Sequence, residues 1–125
     1  MTGNEISSKI IEAATEVHKL LGPGLLESTY EYCLVYELKQ HGLEVKQHVS
    51  LPLIYKNVKL EAGYRIDLLV EDSVIVVIKT VNTLADIDMA QLLTYLKLKN
   101  VNYGLLINFN SVELKHEMKI VEMGA

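Results

Sequence analysis

The chain has 125 residues, half of them apolar, a single cysteine and a formal net charge of −4 at a pI near 5.5. That length suits one compact domain over residues 1–125, and the apolar fraction excludes a disordered chain. Cys33 alone rules out an intrachain disulfide and agrees with a cytoplasmic location, while no apolar run approaches a membrane span. Four scattered histidines offer no zinc cluster, and the acidic balance argues against a broad basic surface but leaves room for a local basic groove.

Ile6, Ile10, Ala14, Val17 and Leu21 recur at helical spacing, predicting an amphipathic helix that Gly22-Pro23-Gly24 must end. A second helix is expected over 27–41, stopped by Gly42. Alternation from Val45 to Tyr55 predicts a strand, with Pro52 marking an edge or bulge. Lys56-Asn57 then makes a hairpin turn into a second strand over 59–70. The run Val74 to Thr80 is nearly all β-branched and apolar, as in a central strand covered on both faces. A helix over 86–99, a strand over 103–109 and a weaker strand within 112–121 complete the chain. The order α-α-β-β-β-α-β-β indicates an α/β fold, a mixed central sheet flanked by helices.

Two blocks carry chemistry: Gly63-Tyr64-Arg65-Ile66-Asp67 and Val74-Ile75-Val76-Val77-Ile78-Lys79. If these strands pair, Asp67 and Lys79 converge at one end of the sheet, Ile66 and Leu68 facing away from Asp67. An aspartate, a turn and a lysine so spaced is the arrangement of a metal-dependent phosphodiester-cleaving site. A purely structural Asp67–Lys79 salt bridge explains the two residues equally well. Val77, two residues before the lysine, stands where a second carboxylate is expected. Gln91 and Tyr95 share a helix face and are suited to orienting a phosphate or the lysine. Ordinary helix-surface polarity accounts for them too. Glu27 is equally at home as an acid at a helix N-terminus.

Together with Gly24-Leu25-Leu26-Glu27-Ser28-Thr29-Tyr30, with Leu51-Pro52-Leu53-Ile54-Tyr55-Lys56 and with Gly104-Leu105-Leu106-Ile107-Asn108-Phe109-Asn110, these blocks resemble the PD-(D/E)xK nuclease superfamily. Within it they resemble the GxxExxY family, of which Gly24, Glu27 and Tyr30 are the name-giving positions. The resemblance spans nearly the whole chain and implies a restriction-endonuclease-like core with the site at one sheet edge. It implies Mg²⁺ or Mn²⁺ held by Glu27, Asp67 and the Ile78 carbonyl, with Lys79, Gln91 and Tyr95 as catalytic groups and DNA as substrate. Val77 departs from the pattern, and with one carboxylate missing, metal binding is expected to be weak or absent. Asp88, three residues before Gln91, is a candidate surrogate acid, although capping its own helix is the simpler role.

Three functions fit: a nuclease impaired by Val77, a non-catalytic nucleic-acid-binding module, or a protein-interaction domain with a vestigial cleft. A homodimer through an exposed sheet edge is compatible with any of them.

Overall fold

The computed structural model describes residues 1–61 and 63–124. Helix α1 (Gly3–Leu21) starts at a capping box in which the Thr2 hydroxyl accepts from Glu5 N and the Glu5 carboxylate accepts from Thr2 N. Gly22, at φ 68, ends it. After the short Gly-Pro-Gly turn comes α2 (Glu27–Gln40). Five strands then precede α3: β1 (Val45–Ser50), β2 (Leu53–Tyr55), β3 (Val58–Leu60), β4 (Arg65–Val70) and β5 (Val74–Lys79). Helix α3 (Asp86–Lys99), β6 (Tyr103–Asn108), a 3₁₀ turn (Leu114–Glu117) and β7 (Met118–Glu122) follow.

The main sheet has the order β1-β4-β5-β6-β7 and is mixed: β5 and β6 run parallel across the α3 crossover, and the other pairs are antiparallel. The prediction that the Val74 strand is central holds, since β5 lies between β4 and β6 and its first five residues are buried. One face of the sheet packs on α1 and α2 through Ile6, Ile10, Val17, Leu34 and Leu38 against Leu68, Val76, Leu105 and Ile107. The other packs on α3 through Leu92 and Leu96 against Ile75, Val77 and Leu106. Gly104 permits that close approach, because a Cβ there would sit 2.8 Å from Leu92 Cδ1.

Two predicted strands are each broken in two. Pro52 has no amide to extend the ladder, and Leu51 N instead closes on Tyr64 O at 2.9 Å. The chain between these points leaves the main sheet and forms its own hairpin, β2 with β3, turning at Lys56 (φ 56). A second difference lies at Asp67. Ile66 packs on the α3 side and Leu68 on the α1–α2 side, so the expected common face of these two residues is not formed. The paired strand does the same, Val45 lying on the α1–α2 side and Val49 on the α3 side. His48, at φ 52 between the Gln47–Leu68 and Val49–Ile66 pairs, supplies the kink.

Candidate active site

The loop carrying Glu27 is held by Tyr30, one turn further along α2, and by Phe109 and Asn110, far from it in sequence. The Tyr30 hydroxyl donates to Gly22 O and accepts from Leu25 N at 3.1 Å. Its ring, fully buried, stacks on Phe109 at 4.7 Å between centroids and 3° between planes. Gly24 N donates to Asn110 Oδ1 at 3.1 Å, with Gly24 at φ 100, a conformation glycine adopts freely. Gly24 and Tyr30 are therefore scaffold: they fix the turn that delivers Glu27 as the first residue of α2. Asn108, also fully buried, holds the loop after Lys79 in the same way. It accepts from Val81 N at 3.1 Å and donates to Val81 O and Glu117 Oε1, each at 2.9 Å.

Asp67 and Lys79 sit on the interior strands β4 and β5, near the end of the β4–β5 ladder. Stepping the Leu68–Val76 register by one residue sets Asp67 opposite Val77. There the Asp67 carboxylate takes over from the ladder, Oδ2 accepting from Ile78 N at 2.8 Å. Because the N–H and C=O of one strand residue face the same neighbouring strand, the Ile78 carbonyl also lies on the Asp67 side. Val77 is 4 % exposed and packs in the α3-side core, so the position where an acid was expected is dry. Lys79 makes no ion pair with Asp67. Its ammonium is 3.7 Å from Asp88 Oδ1, while Asp88 Oδ2 accepts from Ala85 N at 2.9 Å. Asp88 therefore caps α3 and holds the lysine at once, and the simple Asp67–Lys79 salt bridge is corrected to a Lys79–Asp88 pair.

Glu27 senses both Asp67 and Lys79, and Asp67 senses Lys79. Burial, first, and then the Asp67 carboxylate hold the Glu27 pKa above its ordinary 4.5, against the pull of Lys79. Burial likewise raises Asp67 above 3.8, opposed mainly by the Ile78 N–H and reinforced by Glu31. A carboxyl raised on folding binds more protons in the native state than in the unfolded chain between its ordinary and its folded value. Stability contributed by such a group falls as pH rises through that window. Asp67→Asn, whose amide oxygen can still accept from Ile78 N, is thus expected to gain stability relative to the parent between pH 4 and pH 7. Urea unfolding at both pH values checks this, and a pH-independent difference would refute it.

Two residues of the site were not anticipated. Glu31 lies four residues after Glu27, on the same helix face, a spacing that is readable in the sequence. His48 Nε2 is 2.8 Å from Glu31 Oε1, an ion pair once the ring is protonated, though misaligned for a hydrogen bond. His48 reaches Glu31 only because of the kink beside Asp67, which no local pattern announces. Gln91 and Tyr95 do share a face, and with Tyr64 and Thr94 they line a separate pocket of about 310 Å³. Tyr95 is raised above its ordinary pKa by burial and then by the Asp67 carboxylate, so the pocket adjoins the acidic site.

Over residues 4–121 the chain matches the family model described as the PD-(D/E)XK nuclease superfamily. The chain belongs to that superfamily. No curated protein and no solved structure matches it. The mixed α/β sheet with helices on both faces is consistent with a PD-(D/E)xK core. Superfamily nucleases generally use divalent metal ions. Among the described residues, no group of three His, Cys, Asp or Glu side chains could hold one. The donors also argue against it: Asp67 Oδ2 is bound to a backbone amide, Glu31 is turned to His48, and Val77 offers no oxygen. With Val77 apolar, only Glu27 and the second oxygen of Asp67 remain as anionic donors, and waters must fill most of the six positions around Mg²⁺. The residues present make a poor site for the metal that the superfamily implies. No helix is long and apolar enough to cross a membrane.

Proposed function

We propose that this is a nuclease-type protein directed at DNA phosphodiesters, with Glu27, Asp67 and Lys79 forming its site and cleavage impaired by Val77. The observation that carries this reading is the bond from Ile78 N, between a dry Val77 and Lys79, to the Asp67 carboxylate, with Glu27 near enough for the charges of Asp67 and Lys79 to act on it. In this reading the Lys79 ammonium, steadied by Asp88, binds a phosphate oxygen as a charge-assisted donor. Asp67 and Glu27, each with raised proton affinity, are placed to accept a proton from an attacking water. Without the second carboxylate the site lacks the donors for a firmly held Mg²⁺ or Mn²⁺, so water activation is poor. Membership of the nuclease superfamily supports the class of substrate. In this reading the Ile78 carbonyl faces the cleft, while Gln91 and Tyr95 act from the neighbouring pocket.

The incomplete donor set also favours a second reading, a non-catalytic nucleic-acid-binding module on the same fold. One experiment separates them. A labelled DNA duplex incubated with the protein and Mn²⁺ is expected to show slow cleavage that Lys79→Ala and Asp67→Ala each abolish. Salt-sensitive DNA binding that survives both substitutions, with no cleavage by the parent protein, favours the binding module instead.

A further inference from the structure

The pocket beside the site has the composition of a ligand pocket, not of a packing defect. Tyr64, 46 % exposed, and Tyr95 contribute two aromatic rings, Leu53 and the exposed Ile87 apolar walls, and Gln91 and Thr94 two polar groups. Among the described residues, the side chains of Tyr64, Gln91, Thr94 and Tyr95 form no hydrogen bond within the protein. Donors and acceptors left free in a mostly apolar concavity match a flat heterocycle whose faces are apolar and whose edge is polar. The volume, about 310 Å³, stands at the small end of ligand pockets and suits one ring system rather than an extended chain.

The charge nearby names the rest of the ligand. Between residues 53 and 65 the chain has Lys56, Lys59 and Arg65 against Glu61 alone, a balance of +2 in a chain of net −4. Leu53 at the foot of the β2–β3 hairpin lines the pocket, and the hairpin tip bears Lys56 over the exposed ring of Tyr55, 5.5 Å from its centroid. A cationic, aromatic-bearing hairpin beside a pocket for a flat ring suits a polyanion with planar side groups. A second copy of this acidic chain suits it less.

We infer that this pocket receives one unstacked base of single-stranded DNA, stacked on Tyr64 and Tyr95 and hydrogen-bonded by Gln91 and Thr94, while the hairpin lysines follow the backbone. The inference rests on the DNA-directed reading above and adds a preference for strands whose bases are free. Stacking on an aromatic ring favours a free base by a factor that readily reaches tenfold. A base held in duplex must first be unstacked and unpaired, at a cost of a few kcal/mol.

The test compares, by fluorescence anisotropy, a labelled oligodeoxythymidine with the same strand carrying abasic sites, on the full chain. The parent protein is expected to bind the base-bearing strand about tenfold more tightly. Ala90→Trp, at an exposed helix position lining the pocket, fills it and is expected to erase that ratio while leaving affinity for the abasic strand within about twofold. Tyr64→Ala, also at an exposed position, is expected to reduce the ratio without filling the pocket. A parent ratio near one, or a ratio untouched by both substitutions, overturns the base pocket and leaves the nuclease reading standing. Absence of binding to any single or double strand overturns both. Sedimentation showing a parent dimer that Ala90→Trp makes monomeric assigns the pocket to a second copy and overturns the inference.

Discussion

Val77→Glu is expected to raise metal-dependent DNA cleavage by roughly 10²–10³-fold, the scale on which a lost charge-stabilising group depresses turnover. The new carboxylate would stand opposite Asp67 in the β4–β5 register and on the same strand face as Lys79. That position lies one residue past the last pair, Leu68–Val76, and next to Ile78, whose N–H donates to the Asp67 carboxylate at 2.8 Å, so the two carboxylates are near enough to share one cation. The same substitution brings a charge into the α3-side core, where Val77 is 4 % exposed. An uncompensated buried charge costs about 3–5 kcal/mol, so the variant should melt well below the parent in EDTA. A metal at a hundred times its dissociation constant returns about 2.7 kcal/mol, and Mn²⁺ should therefore raise the melting temperature of the variant but not of the parent. Thermal melting and cleavage read two sides of one event. A variant that gains metal-dependent stability yet cleaves nothing would count against the enzyme reading.

Tyr30→Ala is expected to destabilise the protein by about 3–5 kcal/mol, as for other large buried aromatic truncations. The ring is fully buried and stacked on Phe109, and its hydroxyl makes two hydrogen bonds to the turn between α1 and α2. Tyr30→Phe keeps the stack and removes the hydroxyl, leaving Gly22 O and Leu25 N without this partner. It should cost about 1–3 kcal/mol. The pair of variants separates packing from anchoring, and chemical denaturation measures both. The functional consequence is indirect: with the turn released, Glu27 at the start of α2 loses its fixed place beside Asp67. A Tyr30→Phe protein as stable as the parent would show that the turn is held by other contacts.

The raised proton affinities of Glu27 and Asp67 and the small stability changes they predict share one cause with the Val77 effect. The site is partly buried, and its negative charges are only partly offset. Lys79 opposes both shifts, but its nearest partner is Asp88 on the other side. The ammonium has the capping carboxylate of α3 as its close partner.

The helices and the central strand were readable because each follows from a local rule. Helical spacing of apolar residues, a Gly-Pro-Gly stop and a β-branched run act over a few residues and need no knowledge of partners. The motif blocks, in their order and spacing, likewise pointed to the superfamily that residues 4–121 match. What local pattern missed depends on pairing between distant segments. The alternation over 45–55 looked continuous because the removal of the β2–β3 hairpin depends on a bond from Leu51 N to Tyr64 O. The face change at Asp67 required its strand to meet His48, and the capture of Lys79 required α3 to bring Asp88 over the sheet. Composition and motif thus decided which kind of fold and which acids and bases were available. Which carboxylate holds the lysine, and which side chains line the neighbouring pocket, was decided by long-range contacts, because ion pairs and pockets depend on positions in space that residue order alone leaves open.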